Sequence, residues 1–287
     1  MASVREALTA SVDALAAAGV EDPRLDAELL LAEANGWDRS FLAANPAAEV
    51  PAPAARRFGE MVRRRLRREP VAYILGRKGF RRIELAVDRR VLIPRPETEL
   101  LVELALELRP GFVLDVGTGS GAIALAIADE LPACRVTATD TSAAALEVAA
   151  ANAEHLGFSD RVRFIKGLLP AGEKFDLIVA NLPYVARSDW PSLQPEVTRW
   201  EPLEALLAGP DGLDAIRALL RECERNFLRY AEGNAFAGAE VMALEVGEGQ
   251  APTVGEMLRE AGFGKVETRI DLAGIERVVV GKDRAAK

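Results

Sequence analysis

Two short stretches of this chain hold residue types that can do chemistry. In the first, an apolar run beginning at Phe112 ends in Asp115 and passes through Gly117-Thr118-Gly119-Ser120-Gly121 into the helix formers Ala122 to Glu130. This reads as strand, tight turn and helix. Alternate glycines let the backbone turn sharply and leave bare main chain against which a ligand can lie, and the start of the helix offers free N–H groups. In the second stretch, a buried apolar run from Leu177 to Ala180 delivers Asn181-Leu182-Pro183-Tyr184 to its carboxyl end, where open α/β sheets bind ligands. Asn181 offers both an acceptor and a donor, Pro183 stiffens the loop, and Tyr184 presents a flat face. The pair of stretches suits a nucleotide-like cofactor held beside a planar amide or amine.

The glycine turn alone leaves two cofactor classes open, because Gly117-x-Gly119-x-x-Ala122 also satisfies the loose dinucleotide pattern. Asp115, two residues before the first glycine, suits the amino group of S-adenosylmethionine and is unhelpful beside a pyrophosphate. The run Arg135 to Thr139 ends at Asp140, where an acid accepts hydrogen bonds from ribose hydroxyls. Both cofactors want that acid, and a helix N-cap before Ser142 to Leu156 would also place one there.

The elements that must position these residues follow from periodicity. Strands are expected near 112–116, 135–139, 162–166, 175–180 and 240–246, with helices between them. Two further runs, Lys265 to Ile270 and Glu276 to Val280, are separated only by Asp271 to Ile275. That gap is too short for a crossover helix, so the two should pair antiparallel. The expected fold is therefore a doubly wound, mostly parallel, seven-stranded α/β sheet closed by an antiparallel hairpin, the methyltransferase version of the fold and not the usual dinucleotide one. Residues 1–77 read as a small helical domain, with Val4, Leu8, Val12 and Leu15 on one face and a second helix running from Asp22-Pro23 to Asn35-Gly36. Alternating apolar residues between Lys78 and Pro94 suggest a β-hairpin linker over 78–95, and residues 96–287 form the catalytic domain.

Composition excludes several classes. The chain has 287 residues, 49% of them hydrophobic, enough for one sizeable domain and a small one. No apolar stretch has the length of a membrane helix, and Arg5 and Glu6 interrupt any signal-peptide core, so a cytoplasmic protein is expected. Two cysteines, Cys134 and Cys223, with the single His155 make no zinc cluster and read as packing residues. The net charge is −8, yet Arg56 to Arg95 holds 14 Lys or Arg against 4 Asp or Glu. Such a run is a solvated helix face, a docking surface for an acidic protein, or a contact for phosphates. Few aromatics interleave the arginines, which favours a protein partner and argues against nucleic acid as substrate.

Several motifs together resemble the peptide chain release factor N5-glutamine methyltransferases, the PrmC/HemK family. They are Glu69-Pro-Val-Ala-Tyr-Ile-Leu-Gly76, Val91-Leu-Ile-Pro-Arg-Pro-Glu-Thr-Glu99, the glycine turn, Asn181 to Tyr184, Glu201-Pro202 with Asp211-Gly-Leu-Asp214, and Asp271-Leu-Ala-Gly274 before Arg277 to Val280. The resemblance implies a methyl transfer from S-adenosylmethionine to the glutamine of a Gly-Gly-Gln segment in class I release factors. It also implies Asp115, the turn from Gly117 to Gly121, Asp140, Leu169 and Asn181 as cofactor residues. Asn181, Leu182, Pro183 and Tyr184 become the substrate loop, with Asn181 and Tyr184 as the catalytic pair. Three departures stand out: Leu182 replaces the first proline of the usual Asn-Pro-Pro-Tyr, Gly167-Leu168-Leu169 lacks the usual acid near the adenine, and Asn234-Ala-Phe-Ala-Gly238 replaces a Gly-Gly pair. The same loop logic would serve a ribosomal-protein glutamine or adenine N6 in nucleic acid, and a cofactor fold can also survive as a non-catalytic binding module.

Overall fold

Ser3 opens the first helix with a reciprocal cap, its hydroxyl accepting from the Glu6 N–H while the Glu6 carboxylate accepts from the Ser3 N–H at 2.8 Å. The structure, a computed structural model, describes residues 2–170, 173–231 and 239–284. The replacement of Gly-Gly by Asn234 to Gly238 lies outside the described residues. Helix α1 (Val4–Ala17) is followed by α2 (Pro23–Asn35), which begins on a proline and stops at the left-handed Gly36. Then come α3 (Arg39–Ala44), α4 (Ala52–Leu66) and α5 (Val71–Leu75). Residues 1–77 form one compact unit together with 194–200. Its core is built from Leu8, Leu15, Leu30, Leu31, Phe58 and Val62.

Much of the arginine run is internal to this unit. Arg65, only 6% exposed, donates to Asp26 at 2.6 Å and pairs with Glu196 at 2.7 Å, and Arg68 pairs with the same carboxylate at 2.6 Å. Burial opposes ionisation of Glu196, but the hydrogen bonds from Arg68 and Arg65 outweigh it and hold its carboxyl below the usual range. Arg64 clamps Glu69 and the carbonyl of Tyr73, and Arg57 donates to the Ala34 carbonyl. Arg56, Arg63 and Arg67 remain exposed, with no ion pair among the described residues.

The second unit begins with a two-stranded hairpin, β1 (Arg77–Phe80) and β2 (Ile83–Ala86), turning at Arg81 with φ 50°. The expectation of paired strands through to Arg95 is corrected here: pairing ends at Ala86. Asp88 turns the chain by accepting the Arg90 N–H at 2.9 Å, and the Glu201 carboxylate takes the Ile93 N–H at 3.1 Å and the Arg95 guanidinium. Val87, Val91 and Ile93 are buried all the same. Their alternation marks a buried loop whose donors are satisfied by a distant carboxylate instead of a strand partner.

The chain continues through α6 (Glu99–Leu108), β3 (Phe112–Val116), α7 (Ala122–Glu130), β4 (Arg135–Asp140), α8 (Ala143–Leu156), β5 (Val162–Lys166) and β6 (Phe175–Ala180). After α9 (Pro195–Trp200), which belongs to the first unit, come α10 (Asp214–Ala231), β7 (Ala239–Glu245), α11 (Ala251–Glu260), β8 (Phe263–Ile270) and β9 (Glu276–Arg284). The seven-stranded sheet has the order β5-β4-β3-β6-β7-β9-β8, with β9 antiparallel to both β7 and β8. The order in which the chain adds strands reverses at the parallel neighbours β3 and β6, so their carboxyl ends border a crevice. The register Val116↔Ala180 then sets the glycine turn beside Asn181. Every residue from Ala122 to Ala128 is buried, as expected of a helix whose sequence is apolar all round.

Candidate active site

A cavity of about 550 Å³ opens over the carboxyl ends of these strands, lined by Gly117, Gly119, Asp140, Leu168, Asn181 and Pro183 among others. Gly119 is left-handed at φ 56°, and a Cβ built there meets nothing within 4 Å, so its missing side chain is open space in the cavity. Its N–H donates to Asp140 Oδ2 at 2.9 Å, while Asp140 Oδ1 accepts from the Ser142 N–H at 2.8 Å. The helix cap is Ser142, whose side chain accepts from the Ala145 N–H. Asp140 is thus free of capping duty, and its carboxylate keeps lone pairs for a ligand.

Asp115 is fully buried beneath the turn. Its Oδ2 accepts from the Thr118 hydroxyl at 2.6 Å and the Ala124 N–H at 3.2 Å, but among the described residues Oδ1 is buried with no partner. Burial pushes the Asp115 carboxyl up to about 7; those two hydrogen bonds offset part of the rise and the charge of Asp140 adds to it. A buried acceptor left unsatisfied costs about 1–3 kcal/mol. Asp115 itself does not line the cavity. Thr118, Ser120 and Gly121 build the turn and do not line the cavity; the Ser120 carbonyl accepts from Asn152 at 2.9 Å.

Of the two leucines just after β5, Leu168 lines the cavity and Leu169, the one expected from sequence, does not. The physical reason is the hydrogen bond from the Thr139 hydroxyl to the Leu168 carbonyl at 2.9 Å, which fixes the path of the chain just after β5. Both leucines pack on the hydrophobic core.

The loop from Asn181 to Tyr184 is held from several sides. Asn181 Nδ2 donates to Thr98 Oγ1 at 3.0 Å, and among the described residues nothing donates to Asn181 Oδ1. Leu182 is buried in the core, and a Cβ on Gly117 would meet its Cδ2 at 3.0 Å. The residue that departs from the usual proline therefore packs under the glycine turn, joining the two halves of the site by contact. Tyr184 is half-buried. Its carbonyl accepts from Gln250 at 2.9 Å and its hydroxyl donates to Glu245 at 3.4 Å, with burial first and the Glu245 charge second in raising its pKa. Thr98, Glu245, Gln250 and Leu168 were not assigned from sequence. Thr98 lies inside the Ile-Pro-Arg-Pro-Glu-Thr-Glu block, which was the available signal, whereas nothing local marks Glu245.

The strand order, the antiparallel closing pair and the cavity between β3 and β6 together define a methyltransferase. Residues 113–200 match the family model for the methyltransferase domain, and residues 6–76 match that for the PrmC N-terminal domain. Among solved structures, the hMettl16 catalytic domain in complex with the MAT2A 3'UTR hairpin 6 aligns with a TM-score of 0.53 and 17% identity, over 70% of this chain and 76% of that one, a likeness of fold alone. The release factor glutamine methyltransferase of Caulobacter vibrioides is 39% identical over 283 residues, covering 96% of this chain and 95% of that protein. The release factor glutamine methyltransferase of Moorella thermoacetica is 43% identical over 283 residues, 96% of each chain. The chain belongs to the release factor glutamine methyltransferase family.

Proposed function

We propose that this chain transfers a methyl group from S-adenosylmethionine to the side-chain amide nitrogen of a glutamine, the one in the Gly-Gly-Gln segment of class I release factors, in the cytoplasm. The observation that carries the reading is that Asn181 and Pro183 line the same cavity as Gly117, Gly119 and Asp140. The cavity supports that cofactor with open space at Gly119 for the methionyl part, Asp140 for the ribose and Leu168 for the adenine face, and the Asp115 carboxylate, buried beneath the turn with Oδ1 unpartnered among the described residues, supports an amino group above it. When bound, the cofactor supplies a methyl already activated on a sulfonium, so alignment can provide much of the acceleration.

An amide nitrogen is a weak nucleophile because its lone pair is delocalised into the carbonyl. The residues therefore act by holding it. Asn181 Oδ1 and the Leu182 carbonyl accept the two amide protons and aim the nitrogen at the methyl, and the Tyr184 ring covers the amide plane. The nitrogen gains the methyl and gives up one proton to solvent. The helical unit docks the protein substrate, a role supported by the exposed Arg56, Arg63 and Arg67. A nucleic-acid substrate has less support, since much of the basic run is spent on internal carboxylates.

Labelled methyl transfer to a class I release factor and to its Gln→Ala variant tests the assignment. Label on the parent factor and none on the variant is expected; transfer to ribosomal protein or DNA instead would overturn it.

A further inference from the structure

The loop after β5, Gly167-Leu168-Leu169, holds no carboxylate. An adenine lying against Leu168 carries an exocyclic amino group with two protons to donate, so its acceptor must come from elsewhere in the cavity. Among the described residues three carboxylates line that cavity: Asp140, Glu204 and Asp214. Asp140 is tied to the glycine turn by the N–H groups of Gly119 and Ser142. The choice falls between the other two.

Asp214 opens α10, and Ala215 and Ala218 of the same helix line the cavity with it. Side chains that short let a flat ring approach the helix. The Asp214 carboxyl is also held in place. Its backbone N–H donates to the Ala208 carbonyl at 3.1 Å, and its Oδ1 accepts from Arg217 Nη1 at 3.1 Å. Its Oδ2 fills the space that a side chain on Gly209 would need, and Gly209, at φ 84°, lines the cavity too. Among the described residues nothing donates to Asp214 Oδ2, which leaves its lone pairs for a ligand. Glu204 stands on the exposed turn Leu203–Ala205, with no ion pair among the described residues, and would lose more side-chain freedom on being fixed. We propose that Asp214 accepts the adenine 6-amino group through Oδ2, in place of an acid in the loop after β5. The inference rests on the reading of this cavity as the S-adenosylmethionine site with adenine against Leu168.

The test is calorimetric titration of the parent and D214A with two ligands, S-adenosylhomocysteine and its analogue with purine in place of adenine, which lacks only the amino group. The four affinities close a double-mutant cycle. The Asp214 side chain is 55% exposed. The parent should therefore bind the purine analogue about 5- to 30-fold more weakly, the size of one hydrogen bond to a charged acceptor partly screened by water. D214A should bind both ligands within about twofold of each other, at the parent's affinity for the purine analogue. D214S, too short to reach the ring but still polar at the start of α10, should behave as D214A does, and it decides if D214A fails to fold. E204A should keep the parental preference. A parent that does not distinguish the two ligands, a preference that survives in D214A or D214S, or one that is lost in E204A would each overturn the inference. A parent that binds neither ligand would instead sink the cofactor reading, so the two failures are distinguishable.

Discussion

The glycine turn offers a test in which two residues of one motif should fail in different ways. Gly119 and Gly121 both have left-handed backbones, at φ 56° and 85°, so any side chain at either costs about 1–2 kcal/mol of stability in the backbone alone. They differ in what a side chain meets. At Gly121 a Cβ would lie 2.9 Å from Leu125 Cδ1 and 3.4 Å from Ala149 Cβ, inside packed core. Overpacking adds about 1–3 kcal/mol, for a total of roughly 2–5 kcal/mol. At about 2–4 °C per kcal/mol for a domain of this size, G121A should lower Tm by roughly 4–20 °C. At Gly119 nothing lies within 4 Å, so the side chain of G119V enters the cavity. Its stability loss should be confined to the backbone strain, while cofactor affinity falls at least about tenfold, or 1.4 kcal/mol. Calorimetric titration with S-adenosylmethionine and thermal unfolding of both variants give the four numbers needed. Unchanged affinity in G119V would remove the turn from the cofactor site, and a G121A as stable as the parent would refute the packing argument.

Other consequences follow from the same geometry. With Asp115 at about 7 in the free protein, a bound ammonium should pull its proton off; affinity for the cofactor should therefore rise by up to about tenfold per pH unit below 7 and level off above it. Titrations from pH 5.5 to 8.5 check the slope, which D115N should flatten. Arg63 and Arg67 changed together to Glu should raise KM for release factor, more at low salt than high, with little effect on a free glutamine peptide. Arg64→Glu should instead destabilise the helical unit, since Arg64 holds Glu69 and the Tyr73 carbonyl; equal Tm values for the two variants would contradict this. Tyr184→Phe should retain more activity than Tyr184→Ala, because the hydroxyl reaches Glu245 only at 3.4 Å while the ring supplies the packing face.

What could be read from sequence was whatever local periodicity records. Alternation and run length placed β3, β4, β6 and the antiparallel pair β8 and β9, and the spacing of Gly119, Asp140 and Asn181 led to the cavity they line, with Asp115 buried beneath it. Pairings between distant residues left no such trace. The bonds of Arg68 to Glu196 and of Ile93 to Glu201 join residues more than a hundred positions apart; hence the arginine run read as a docking face, and the chain past Ala86 read as strand. That Leu168 and not Leu169 lines the cavity is a one-residue difference at a strand end, where a hydroxyl from β4 sets the path. Leu182 stands in sequence only as a departure from proline, because its contact with Gly117 exists only once β3 and β6 are neighbours. Glu245 is one apolar-strand residue away from ordinary core and becomes a buried carboxylate only by ending β7.

Single-turnover methyl transfer to release factor by Asn181→Ala tests the central claim, that this side chain holds the substrate amide in line with the methyl. The substitution removes the acceptor and one bond to Thr98, and it leaves Asp140, Gly119 and the buried Leu182 in place. Loss of such a positioning hydrogen bond should cost about 2–4 kcal/mol of transition-state stabilisation, roughly 30- to 1,000-fold in rate. Cofactor affinity should change far less. A rate within about threefold of the parent, in a variant that still binds S-adenosylmethionine, would contradict the amide-clamp mechanism.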